Sequence, residues 1–412
     1  MTALPSPRKR MTPVVVVVVL TLLLGIQPIG TDLYLPALPA LQRDLGASLG
    51  AAQLTLSALI ICFGLGQLVF GPLSDRFGRR PILLWGMALF TLASVLSAAS
   101  ASIEWLIVWR GLQGVAMAAA VTCGRSIVRD LYQPHEGARV LSRGLTGLGI
   151  IGMLSPLIGG ALAQWANWHA VLSVLAIFGA GTLVFIAWSF EETVPQRYPQ
   201  ATQLRAMLGN AASVARNPTF RAWVTLLSCT YGGLFLYLAS SSFVFIDVLG
   251  TSRLGYGLIM ASNALAYVAG TWFCRRLLAS RGLRRAVKLG GWFSIVGGLS
   301  SAALSLAGLH TVWAVLLPQW IYAVGHGIHQ PCGQAGAIGP FPEKAGTAAA
   351  LSGFIMMLTS FVIGLWLGRS FNGTVYPLTL GLAVFGSAVA ATAWTLVQRH
   401  GEPTAARATQ AA

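Results

Sequence analysis

Acidic residues are scarce in this chain. Only 11 Asp and Glu stand against 27 Lys and Arg in 412 residues, and charged residues of both signs make up 9%. A water-soluble chain of this length needs far more charge, so that class is excluded. Apolar residues take the vacant share, at 55% hydrophobic with a mean hydropathy of +0.71, and the chain reads as an all-α integral membrane protein. Cysteine is also sparse. Cys62, Cys123, Cys229, Cys274 and Cys332 mostly sit far apart in apolar runs without a CxxC pair, and they read as packing residues. There is no metal-ligand spacing, no Ser/His/Asp cluster, no nucleotide-binding loop and no extramembrane domain, so neither an enzyme nor a cofactor nor a metal is expected. A net charge of +16 and a pI near 10.5 could suggest nucleic acid. The bases lie in short loops between apolar runs rather than on a soluble basic face, and no nucleic-acid partner is expected.

Crossing roughly 30 Å of hydrocarbon takes about 20 helical residues. The apolar runs predict twelve spans, at 13–38, 51–72, 82–100, 103–124, 140–163, 168–190, 221–246, 254–278, 287–308, 311–334, 346–367 and 374–397. The N-terminal RKR followed by PVVVVVVLTLLLG resembles a signal peptide, but the apolar run continues through Ile29 and Leu35 and reads as a retained first helix. A polar interval from Glu191 to Arg221 holds Pro195, Pro199 and Pro218. It divides the chain into a six-helix half (1–190), a linker with a short amphipathic helix (191–220), a second six-helix half (221–398) and a tail (399–412). With the N-terminus cytoplasmic, 23 of the 27 bases fall in inner loops and tails and 3 in outer loops, which places both termini in the cytoplasm. An ungapped repeat at an offset of 205 lays LSDRFGRR (Leu73 to Arg80) on LASRGLRR (Leu278 to Arg285), as expected for two parallel halves around a central cavity.

Asp32 stands alone in GIQPIGTDLYLPALP, Gly25 to Pro39, the outer half of the first span. An unpaired Asp at bilayer depth costs roughly 2.5 to 3.5 kcal/mol on insertion scales, so a carboxylate there reads as a carrier of a proton or a cationic substrate. Arg110, in IVWRGLQGVAMAAA, is the base placed inside a predicted span, at a depth similar to that of Asp32. Two readings stay open, a proton-coupling pair sharing one cavity or a fixed salt bridge. Glu104 and Asp247, at outer span ends, are expected to face water.

The loop GPLSDRFGRRP, through Gly71, Leu73, Asp75, Arg76, Gly78, Arg79 and Arg80, resembles the signature loop of the major facilitator superfamily. Asp75 paired with arginines there could latch helix ends in one state and release them in another; Ser280 replaces it in the second half. Arg110, Gln113 and Gly114 resemble that superfamily's fourth-helix motif. Gly152, Pro156, Gly159 and Gly160, in GLTGLGIIGMLSPLIGG, resemble the antiporter motif of its drug-exporting branch, with Ser155 in place of a Gly. NWHAV departs from the superfamily's Trp-Arg pair by His169. TDLYLPALP with GRSIVRDLY, Gly124 to Tyr132, resembles the Bcr/CflA family of bacterial drug exporters.

That resemblance implies the major facilitator fold of twelve helices and a monomeric, multi-pass protein of the bacterial inner membrane. It would exchange protons for small hydrophobic substrates, of chloramphenicol or bicyclomycin type. Export of one metabolite, such as a sugar or amino acid, is the alternative, and a cavity rich in Trp, Met and Phe tilts against it. Candidate cavity residues are Gln27, Thr31, Tyr34, Gln113, Met117, Tyr231, Tyr237, Asn263, Tyr267, Trp320, His326, Gln330, Met356 and Met357. At the offset of 205, Tyr237 falls opposite Asp32. His326 and His329 read as packing residues first and as a proton relay second.

Overall fold

Small polar residues set the starts of the helices. Thr12, Ser48, Ser102, Asn167, Asn217, Ser252 and Thr311 each accept a backbone N–H from the first turn that follows, satisfying donors that no intrahelical carbonyl can reach. The computed structural model describes residues 12–132, 134–194 and 202–402, and within them the chain is helical, with no strand. The helices are α1 (Pro13–Thr31), α2 (Leu38–Asp44), α3 (Leu49–Phe77), α4 (Arg79–Ala98), α5 (Ile103–Leu131), α6 (Pro134–Trp165) and α7 (Trp168–Ser189). They continue with α8 (Leu204–Ala215), α9 (Pro218–Ser242), α10 (Arg253–Leu306), α11 (Val312–Ile338), α12 (Ala345–Ser370), α13 (Tyr376–Trp394) and α14 (Leu396–His400). Among the described residues, ten helical stretches are long and apolar enough to cross a membrane.

One of these ten, α10, has 54 residues. A straight helix of that length would reach ~80 Å, but Gly282 takes φ 73° and ψ 174° and the chain reverses there. The two arms pack on the same stretch of α11 in opposite directions. Asn263 meets Gln319 and Cys274 meets Cys332, whereas Val287 meets His329 and Gly297 lies against Tyr322. The sequence placed a loop at 279–286; a single glycine makes the turn instead. α11 itself carries Pro318, Pro331, Gln319, His326, His329 and Gln330, and this polarity leaves it outside the ten.

The same economy removes a second expected loop. α3 continues to Phe77 and α4 starts at Arg79, so the signature stretch 71–81 is helical except at Gly78, with φ 104° and ψ 157°. α5 likewise runs seven residues past the expected end at 124, which moves Arg125 and Arg129 from a loop onto a helix. Within the linker, α8 is the expected short helix. Pro195, Pro199, Arg8 to Arg10 and 403–412 lie outside the described residues.

A repeat is present with a register that differs by one residue from the sequence alignment. Left-handed glycines recur at Gly46 and Gly250 and at Gly78 and Gly282, N-caps at Ser48 and Ser252, and the contacts Gln27 to Tyr231 and Arg43 to Asp247 each join residues 204 apart. At this offset Tyr231 is the counterpart of Gln27, and Leu236, not Tyr237, that of Asp32. Matching arginines favoured 205 because identical letters were counted where the backbone had shifted by one.

Glycines let helices approach to backbone contact. A Cβ on Gly114 of α5 would collide with the Leu59 carbonyl of α3, and one on Gly159 of α6 with the Leu33 carbonyl. Gly160 and Gly257 bring α6 against α10 in the same way, and Gly50 and Gly368 bring α3 against α12. Gly149, by contrast, has nothing within 4 Å. Gly114→Val is therefore expected to destabilise by about 1–3 kcal/mol, seen as a lower melting temperature in detergent. Gly149→Ala should leave that temperature unchanged or slightly raised.

Candidate functional site

α1 stops where proline denies it hydrogen bonds. Pro36 has no N–H to return to the Asp32 carbonyl, and Pro39 none for Leu35. The chain passes through a turn at 32–34 and a 3-10 turn, Leu35–Ala37, before α2 begins. The N–H groups of Asp32 and Leu33 both converge on the Pro28 carbonyl, at 2.8 and 3.3 Å. Gly159 accommodates the Leu33 carbonyl at this break, so the glycines of α6 hold it from behind.

Asp32 caps α1 and pairs with no cation among the described residues. The Thr31 hydroxyl lies 2.7 Å from Asp32 Oδ1 and 2.9 Å from the Gln27 carbonyl. A hydroxyl has one proton to give. With an ionised Asp32, Thr31 donates to one acceptor or the other. With a proton on Asp32, the carboxyl donates to Thr31 and Thr31 donates to Gln27, so both contacts are made at once. Across the interface, Tyr231 of α9 receives the Gln27 Nε2 at 3.5 Å.

Arg110 is fully buried and makes no ion pair with Asp32. Its Nη2 donates to the Gly30 carbonyl at 2.7 Å and its Nη1 to Gln113 Oε1 at 2.8 Å. Gln113 Nε2 continues to Ser94 Oγ at 2.9 Å, and Ser94 to the Phe90 carbonyl at 2.6 Å. The guanidinium lies 4.4 Å from the Tyr34 ring centroid, a cation–π contact. Tyr34 is anchored by Thr55 at 2.7 Å. Arg110 thus braces the end of α1 through a carbonyl that the stopped helix leaves free. The fixed Asp32–Arg110 salt bridge is absent, and so is an Arg110 lining the cavity.

Below the break a narrow cleft of about 70 Å³ reaches the ends of α5 and α11. That end bears Arg76, Arg79 and Arg80 and is called here the basic face. The cleft is lined by Gln27, Phe63, Gln67, Arg125, Tyr231, Gln330, Gln334, Ile338, Ala349, Ser352, Gly353, Met356 and Met357. The opposite face is closed. Arg43 Nη1 donates to Asp247 Oδ1 at 2.8 Å, Trp168 Nε1 to Asp44 at 2.7 Å, and Arg253 to the Ala163 carbonyl.

At the basic face the signature residues form one cluster. Arg79, only 5% exposed, pairs with Asp75 at 2.6 Å and Asp130 at 3.0 Å, and donates to Ser74. The Glu192 carboxylate receives the backbone N–H groups of Arg79, Arg80, Thr193 and Val194 at 2.8 to 3.2 Å, capping α4 at the Gly78 turn. Arg80 donates to the Phe190 and Ala187 carbonyls, and Arg76 to Thr202. Gly71 touches only Thr122, at 3.8 Å from an added Cβ. The cluster ties α3, α4, α5 and the end of α7 together. In the second half Arg284 donates to the Gln398 carbonyl and to Glu402, and Ser280 is turned back on Arg276.

Of the expected cavity residues, Gln27, Tyr231, Gln330 and Met356 line the cleft, together with Met357. Thr31 is not among the lining residues and bonds Asp32 and the Gln27 carbonyl instead. Gln113 and Tyr34 belong to the Arg110 network, and Met117 packs on Gly30. Tyr237 is buried against Phe245, Asn263 pairs with Gln319, and Trp320 donates to Ser262. His326 meets Thr230 and the Tyr267 ring, and His329 meets Ser294 and the Val287 carbonyl. Gly152 faces Pro28, and Pro156 meets Gly257 across the α6–α10 contact. His169 stacks on Trp168 and reaches the Ala98 carbonyl at 2.7 Å, closing the end of α4. Arg125, Asp130, Gln67, Gln334 and Glu192 were not among the site residues expected from the sequence. Arg125 and Asp130 stand in the quoted stretch GRSIVRDLY, whose helical extent was the missing signal.

The family profile described as Major Facilitator Superfamily matches residues 20–364. Multidrug resistance protein D of Escherichia coli is 30% identical over 362 residues, covering 86% of this chain and 89% of that protein. A chloramphenicol resistance protein of Pseudomonas aeruginosa is 29% identical over 367 residues, covering 87% and 86%. The partially occluded, inward-open xylose transporter XylE of E. coli superposes with a TM-score of 0.73 at 16% identity, covering 93% and 99%. At that identity XylE speaks for the fold alone.

Glu192→Ala leaves the first N–H groups of α4 uncapped beside a glycine turn. A loss of about 1–2 kcal/mol is expected, together with faster amide exchange at Arg79 and Arg80. Unchanged exchange at those two amides would count against the capping role.

Proposed function

The chain belongs to the Major Facilitator Superfamily, and from that premise we propose that it is a proton-coupled exporter of small hydrophobic drugs, of chloramphenicol or similar type, in the bacterial inner membrane. Alternating access of two six-helix halves carries the exchange. In this reading the helix count is twelve, with α10 contributing a span on each side of Gly282 and α11 included despite its polar residues. The excess of arginine on the basic face makes that face cytoplasmic, with both termini there. The protein works as a monomer in the bilayer.

The observation that carries the reading is the unpaired Asp32 at the broken end of α1, one helical turn from Gln27 and Tyr231 at the head of the cleft. A proton on Asp32 completes the Thr31 bridge to Gln27, so gain and loss of that proton change how α1 ends. Substrate enters from the cytoplasmic face while the far face is closed. Opening of the far face then exposes Asp32 to outside protons. Exchange follows when proton and substrate stabilise different states. Arg110 acts as a positioning residue by holding the Gly30 carbonyl. The names of the bacterial relatives favour drugs over a sugar or amino acid.

Everted vesicles energised to an acidic lumen provide the test. Chloramphenicol and a panel of antibiotics are added, with metabolites as controls, and release of the pH gradient is followed. Wild-type vesicles are expected to release the gradient with at least one drug, and Asp32→Asn vesicles carrying equal amounts of protein are expected not to. Gradient release by Asp32→Asn at the wild-type rate would remove Asp32 as the coupling group, and silence of the wild type across the panel would remove drug exchange.

A further inference from the structure

The cleft has an unbalanced lining. Arg125 faces it from α5 and has no ion pair or hydrogen-bond partner among the described residues. Arg129 on the same helix donates to Ser126, and Lys344 donates to Ser213. None of the cleft-lining residues is an acid. Gln67, Gln330 and Gln334 also line it with no protein hydrogen bond, and the Gln330 Oε1 is buried without a partner. Arg125 is exposed at the cleft, and with the three free amides it forms a polar rim whose donors can hold an acceptor-rich group. The remaining wall is apolar and adaptable, through Phe63, Ile338, Met356 and Met357.

We infer that the cleft selects an amphiphile with an anionic, acceptor-rich head, held by Arg125 with Gln330 and Gln334, while its apolar body lies on Phe63, Met356 and Met357. The inference rests on the export reading for the use of the cleft. Arg125 is about 22 Å along α5 from Arg110, the level at which α1 breaks. The head is therefore too far from Asp32 to touch its carboxyl or take its proton directly. Coupling passes through the two facing states instead. A monoanion leaving in exchange for one entering proton transfers two positive charges inward, so an inside-negative potential drives the cycle along with the pH gradient. Cations of the same shape meet Arg125 and no acid along the cleft lining and are disfavoured.

Equilibrium binding to the purified full-length protein tests this separately from transport. Three fluorescent probes share one body: dansylglycine (anion), dansylglycinamide (neutral) and a dansyl trimethylammonium (cation). Wild type is expected to bind the anion about tenfold or more tighter than the amide, as charge-assisted bonds to a guanidinium predict, with the cation weakest. Arg125→Gln should bring the anion-to-amide ratio to about one, and Arg125→Lys should keep most of the preference, in variants with an unchanged melting temperature. Equal binding of the three probes, a preference for the cation, a ratio untouched by Arg125→Gln, or no binding of any probe would each overturn the inference. Failure of the export reading shows elsewhere, as a pH gradient in vesicles that no drug releases.

Discussion

Proline around one carboxylate is the constraint on which the rest depends. Pro36 and Pro39 stop α1 at Thr31 because they withhold the N–H groups that a continuing helix requires. The stop frees the Gly30 carbonyl, and Arg110 takes it. It also leaves Asp32 at a helix end facing the second half rather than in a packed helix wall. Burying Arg110 without a carboxylate is costly, and the chain offsets the cost with Gly30, Gln113 and the Tyr34 ring. Asp32 is thereby left free of a cation that would fix its charge, which is what a group that gains and loses a proton requires.

The contacts around this point divide into rigid and separable kinds. Within the first half, glycine-mediated backbone contact and the Asp75–Arg79–Asp130 cluster with Glu192 bind α3, α4, α5 and α7 into one body. Across the interface on the far side, the ties are the exposed Arg43–Asp247 pair, the bond from Arg253 to the Ala163 carbonyl and close helix crossings at glycine. An exposed pair of that kind is worth about 0.2–1 kcal/mol, so it can be given up when the facing state changes. Gln27 with Tyr231 and Arg43 with Asp247 each join residues 204 apart, which puts them near the axis relating the repeats. Contacts on such an axis are remade with little displacement as the halves rock.

Depth was legible in the sequence and azimuth was not. Apolar run length located Asp32 and Arg110 at similar depth, and the structure places Arg110 against Gly30, two residues from Asp32. Which way each points depends on helical phase, and a shift of one residue turns a side chain by about 100°. That shift separates the offset of 205 from 204, and with it Tyr237, buried against Phe245, from Tyr231, which faces Gln27. Helix ends were the second gap. Gly78 and Gly282 each turn the chain in one residue, so charged residues that read as loops are helical, and α5 runs on to Leu131, which makes Arg125 part of the cleft. Glu192 was invisible because its four partners are backbone N–H groups, which carry no letter in a sequence.

Proton release on substrate binding tests the central claim most directly. Purified protein in weakly buffered detergent solution, started at the pH where exchange is fastest, is mixed with a drug that releases the vesicle gradient, and free protons are measured with an indicator dye. The account predicts release that saturates with the drug, up to about one proton per molecule, and none from Asp32→Asn. Equal release from both proteins, or wild-type binding of the drug with no proton release at any pH tried, would contradict it.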